Sequence, residues 1–107
     1  MRFLADTRLI QDIVSVLSAL AEPTRLAAIR LLWDGEEHCV CELMGKVEAS
    51  QSRMSRHMAT LKIAGLVIDR RDAQWVRYRR NPALSPEVAA IVDAVMAALP
   101  KAERRAA

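Results

Sequence analysis

Nowhere in the 107 residues is there an apolar run of the roughly 18 residues that a membrane-spanning helix needs, and no secretory leader pattern opens the chain. The expectation is a cytoplasmic protein with no membrane partner. Glycine (three) and proline (four) are scarce, no Ser- or Gly-rich linker divides the chain, and no internal repeat is visible. One domain is the reading that length and composition support. Cysteine is rarer still. Cys39 and Cys41 stand one residue apart, and a bridge between them would close a strained small ring. They are therefore expected to be reduced thiols, not a disulfide framework. Enzyme signatures are missing too. There is C-x-C where a thiol oxidoreductase has C-x-x-C, no acid–base pair beside the cysteines, and no Gly-rich phosphate loop. An enzyme is not expected.

What is present is uneven charge. The net formal charge is only +3. Asp34, Glu36, Glu37, Glu42 and Glu48 face Lys46 alone in one segment. From Gln51 to Arg80 the basic residues Arg53, Arg56, Lys62, Arg70, Arg71, Arg77, Arg79 and Arg80 outnumber Asp69 and Asp72. A polyanion is the partner such a half fits. Slightly over half the chain is apolar, enough for a small core, and small domains often gain burial by pairing with a second copy.

Apolar spacing predicts five helices and a hairpin. A first helix is expected from about Asp6 to Ala21, capped by Asp6 or Thr7, with residues 1–5 frayed. Its face is Ile10, Ile13, Val14, Leu17 and Leu20. Pro23 suits the first position of a second helix, where its missing N–H costs nothing; Leu26, Ile29, Leu32 and Trp33 form its stripe, and Asp34-Gly35 ends it. Val40, Leu43, Met44 and Val47 mark a short third helix over about 40–46. Ser50 can cap a fourth helix whose Met54, Met58 and Leu61 face inward and which Gly65 stops. Its other side is small, basic and hydrogen-bonding, with no acid between Ala49 and Ile68. Two short helices joined by a tight turn read as a helix-turn-helix. Residues 66–71 and 75–79 alternate as strands about a turn at Asp72-Ala73-Gln74, a wing whose tip and outer edge carry Arg70, Arg71, Arg77 and Arg79. Trp75 and Tyr78 read as packing between wing and core. A last helix follows Ser85-Pro86-Glu87 and runs to Leu99; the tail 101–107 is expected to be disordered.

The fold class is thus mainly α with a small β-hairpin, in the order α-α-α-α-β-β-α, a single domain over 1–107. Both terminal helices (about 6–21 and 85–99) are too apolar for the surface of so small a monomer, and are expected to make a homodimer. Gln51, Ser52, Arg53, Ser55 and Arg56 on the fourth helix, with Arg71, Arg77 and Arg79 in the wing, are the candidate contacts to double-stranded DNA.

The motifs LAEPTRLAAIRLL (20–32), HCVCELM (38–44), SQSRMSRHMATLKIAGLV (50–67) and RRDAQWVRYR (70–79) resemble the ArsR/SmtB repressors. The resemblance covers nearly all of Val16–Leu99, and its CVC[DE]L and SQ-x-x-[IMV]-SRH segments resemble the arsenic-responsive branch. It implies a dimeric winged helix-turn-helix repressor that leaves operator DNA on binding a toxic metal or metalloid, with trivalent arsenic or antimony as inducer at Cys39 and Cys41 and no organic cofactor. The departures are specific. Met44 holds the place of a third cysteine, no N-terminal cysteine exists, and the last helix has no histidine, which argues against a zinc site there.

Spacing alone says something about the two thiols. On an ideal helix they are about 200° apart and cannot share an ion; on extended backbone, residues two apart point the same way and can. A helix N-terminus favours thiolate, and two thiolates select soft ions. A third position would be filled by hydroxide, an outside thiol, Met44 or His38. The alternatives are a redox or reactive-sulfur sensor, or another soft metal, on the same DNA-binding frame. His57 is expected to be a structural hydrogen-bonder.

Overall fold

A computed structural model describes residues 2–100, with side chains described from Thr7 onward. The element order is α1 (Arg2–Leu20), α2 (Pro23–Leu32), β1 (His38–Cys39), α3 (Val40–Val47), α4 (Gln51–Ile63), β2 (Val67–Asp72), β3 (Trp75–Arg80) and α5 (Pro86–Ala98). The architecture is the winged helix-turn-helix that the spacing predicts, with one added strand. Among the described residues no helix is long and apolar enough to cross a membrane. The tail 101–107 and residue 1 lie outside the described residues.

Local chemistry explains where the helices begin and stop. Glu22 accepts the Arg25 backbone N–H at 2.8 Å, and Pro23 takes the first turn of α2. Ser50 Oγ accepts the Arg53 N–H at 3.3 Å, and Ser85 Oγ accepts that of Val88 at 3.2 Å. Gly65 ends α4 at φ 81°, a left-handed backbone natural only to glycine. Glu48 makes the same turn after α3 at φ 56° without that freedom. Asn81 ties the end of the wing to the end of α4, donating from its amide to the Gly65 carbonyl at 2.9 Å.

The core sits where α2, α3 and α4 meet the sheet. Ile29, Leu32, Leu43, Met54, Met58, Leu61, Leu66, Val67 and Val92 are fully buried. Burial of one such side chain stabilises by about 1.5–3 kcal/mol, so these contacts fix α4 on α2 and α3. Arg25 adds a polar tie. Its Nε donates to the Ala19 carbonyl at 2.6 Å and its Nη1 to His57 Nδ1 at 3.2 Å, linking the end of α1, the start of α2 and the inner side of α4. His57 is the structural hydrogen-bonder expected of it.

Three expectations are corrected. The first helix starts at Arg2, not near Asp6, because nothing in Arg-Phe-Leu-Ala breaks a helix, so Asp6 and Thr7 lie within it and not at its start. The sheet has three strands in the order β1-β3-β2, all antiparallel, and β1 was not foreseen. Tyr78 is buried, but Trp75 is exposed, because its pairing with Asp72 places it beside the hairpin turn. On α1, Leu9, Ile10, Val14 and Leu17 are 45–58% exposed, a large apolar row uncovered in the single chain.

Candidate nucleic-acid interface and sulfur pair

The outer face of α4 is Gln51, Ser52, Arg53, Ser55 and Arg56, all exposed. Burial of Met54, Met58 and Leu61 leaves the intervening positions no other direction. Among the described residues neither Arg53 nor Arg56 is paired with an acid. Their charges face solvent, in the geometry by which a helix presents donors to phosphates and base edges.

The wing arginines are placed differently. Arg77 Nε donates to Asp72 at 2.7 Å, and Arg70 grips Glu37 through two bonds of 2.7 and 2.8 Å. The arginines hold both carboxyls, Glu37 and Asp72, below the usual range. Arg71 is exposed and Arg79 half-buried, and among the described residues neither has an acidic partner. Arg80, not singled out from the sequence, lies over the Trp33 ring at 3.9 Å from its centre, while Trp33 Nε1 donates to Asp93 at 2.6 Å. The base of the wing, the end of α2 and the middle of α5 are joined there.

Cys39 is the N-cap of α3, with extended backbone at φ −68° and ψ 144°. It is also the last residue of β1, paired with Arg77, while His38 pairs with Tyr78. Cys41 is in the first helical turn and donates its backbone N–H to Cys39 Sγ at 3.3 Å. The Cα atoms are 5.1 Å apart and the two sulfurs are bonded to each other. This corrects the expectation of two separate thiols. The small ring closes because Cys39 is not on the helix, so the 200° separation of an ideal helix does not apply. It also corrects the idea that α3 must unwind before both sulfurs reach one ion, since α3 is regular from Val40 with the sulfurs already side by side.

Cys39 is buried and Cys41 exposed. Met44 is half-buried against the core. His38 has both ring nitrogens engaged, Nδ1 with Glu42 at 3.0 Å and Nε2 with Asp34 at 3.1 Å. Burial alone would push its pKa down, but the hydrogen bonds to Glu42 and Asp34 prevail and raise it. Hydrogen bonding to His38 in turn lowers Glu42, which also meets Lys46 at 3.3 Å. Two adjacent sulfur donors suit a soft thiophilic ion. Among the described residues no third His, Cys, Asp or Glu completes a metal-holding group with them.

The sequence matches the family model described as bacterial regulatory protein, arsR family, over residues 22–69. The arsenical resistance operon repressor of Escherichia coli is 39% identical over 80 residues, 75% of this chain and 68% of that protein. Against two arsenic resistance regulators of Pseudomonas putida, each 46% identical, the chain spans 60% of their length. Among solved structures, reduced HlyU of Vibrio cholerae superposes with a TM-score of 0.71 at 35% identity, over 85% of this chain and 92% of that one. The homodimeric winged helix-turn-helix domain of Mb0332 from Mycobacterium bovis gives 0.72 at 27% identity, over 86% and 82%.

Proposed function

We propose that this chain, which belongs to the arsR family of bacterial regulatory proteins, is a cytoplasmic homodimeric repressor that releases operator DNA when trivalent arsenic or antimony binds Cys39 and Cys41. The observation that carries the reading is the pair of adjacent sulfurs at the start of α3, one short turn before the basic helix α4.

The apolar row on α1, with α5, is the surface for a second copy, whose α4 then lies one helical turn away along the duplex. In each half, Gln51, Ser52, Arg53, Ser55 and Arg56 meet the major groove. Arg71 and Arg79 meet flanking phosphates, and Arg77 joins them by exchanging Asp72 for phosphate.

The sulfurs react only when the bridge is open. A thiol reductant supplies two electrons and two protons and leaves two thiols. Arsenous acid, As(OH)3, then condenses with both, forming two As–S bonds, losing two hydroxyls as water and keeping one hydroxyl. His38 is occupied by its carboxylates and Met44 by the core, so the third valence carries hydroxide or an outside thiol. Release follows by linkage, because the loaded form has the lower DNA affinity and DNA must lower arsenic affinity by the same factor.

The test is operator binding by the reduced protein with and without arsenite. Affinity is expected to fall at least tenfold with arsenite, and the double variant Cys39→Ser, Cys41→Ser is expected to stay bound. Release of that variant by arsenite would place the sensing site elsewhere. The bridge favours a second reading, in which the pair senses oxidants. Two thiols give a disulfide and two protons, and the electron pair goes to a peroxide or a sulfane sulfur. Release by peroxide, with indifference to arsenite, would select it.

A further inference from the structure

The two sulfurs are rooted in different elements. Cys39 belongs to β1, whose partner is the wing strand β3, while Cys41 belongs to α3, which packs under α4. Immediately before β1, Glu37 holds Arg70 of β2 by a two-pronged ion pair across 33 residues of sequence. The sulfur-bearing strand is therefore tied to the wing twice, once through its backbone to β3 and once through Glu37 to β2.

We propose that Glu37 is a positioning residue that makes the sulfur pair part of the wing, so that capture of a thiophile acts as a strut between the wing and α3. Free thiols can vary their separation. A trivalent centre bound to both fixes it, and the strain falls between the sheet on one side and the helix on the other. Glu37 stiffens the sheet side. With it in place, a shift of Cys39 moves β2 and β3 with their arginines; without it, β1 slips on a two-residue ladder and the wing stays where it is. The inference rests on the sulfur pair being the sensing site, and adds the wing as a second route to the DNA beside α3 and α4.

The experiment uses the full-length reduced protein without DNA, and phenylarsine oxide as probe. It forms two As–S bonds and releases one water per pair of thiols. Backbone amide exchange of Arg70, Arg71, Val76 and Arg77 is followed before and after one equivalent. Wild-type exchange in the wing is expected to change at least threefold on capture. Glu37→Gln should bind the probe with the same stoichiometry and DNA at least as tightly, while its wing responds less than half as much. Arg70→Gln should bind the probe with the same stoichiometry and show the same reduced wing response, and the double variant no smaller a response than either single one, as a shared pair requires. Equal wing responses in wild type and Glu37→Gln would overturn the proposal, as would a wild-type wing that ignores the probe. The two readings fail separately. A wing that moves with phenylarsine oxide while arsenite leaves operator binding untouched removes the arsenic reading and keeps the strut. Release by arsenite over an unmoved wing does the reverse.

Discussion

The recognition helix and the wing carry the same residue, arginine, in opposite electrostatic conditions. On α4, Arg53 and Arg56 are unopposed by acids among the described residues. In the wing, Arg70 and Arg77 are already satisfied by Glu37 and Asp72. An arginine facing water gains its full interaction on meeting phosphate. One with a carboxylate must first give that partner up, and gains only the difference. Counting basic residues therefore overstates the wing and describes the helix fairly. On the proposed reading the helix would supply affinity for DNA, and the wing an interaction that its own acids hold in reserve.

The largest effect should come from the helix. Replacing both Arg53 and Arg56 by alanine is expected to weaken operator binding at least about thirtyfold, at about 1–3 kcal/mol for each well-made contact. It should also flatten the dependence of log affinity on log salt by about two. Fluorescence anisotropy across a salt series reads both, and a loss no larger than that of Arg77→Ala would erase the contrast. A smaller effect of opposite sign is expected from Asp72→Asn. Freed from its partner, Arg77 should tighten binding a few-fold and steepen the salt slope by about one; weaker binding would show that the pair holds the wing in shape and does not restrain it.

The smallest effect concerns the acidic segment between the two regions. His38 is raised above its usual 6.5 by Glu42 and Asp34, so its charged pairing stabilises fully below about pH 6.5 and is lost as pH climbs through the raised value. Asp34 and Glu42 are lowered from 3.8 and 4.5, and their share is lost as pH falls through those lowered values. Thermal unfolding of the reduced protein should therefore show a plateau with a decline on each side. His38→Asn should remove the decline above about pH 6.5; a variant with that limb intact would assign it to another group.

Much of this frame is legible in one dimension, because it is written in short-range periodicity. Met54, Met58 and Leu61 with Ser50 before and Gly65 after define α4, and Ser85-Pro86 opens the last helix. The strand β1 is not legible. Two residues are too few to alternate, and the spacing that follows is helical, so nothing marks Cys39, the residue before the helix, as part of a strand. The Glu37–Arg70 and Asp93–Trp33 contacts join residues far apart in sequence, and no local pattern announces them. The cysteines stand out as candidate ligands by type and spacing, but their contact depends on the cap geometry at Cys39. Likewise the wing's basic edge is visible as composition, while which arginines are already paired depends on the register of β2 against β3.

The unequal exposure of the two sulfurs sets a direction for any exchange at the bridge. An incoming thiolate meets Cys41 first, because Cys39 is buried. Attack at Cys41 expels Cys39 as the leaving group, and the N–H of Cys41 is already aimed at that sulfur to receive its negative charge. Reduction thus begins from the solvent side and leaves the new anion inside, where the next electrophile to arrive finds its inner nucleophile ready.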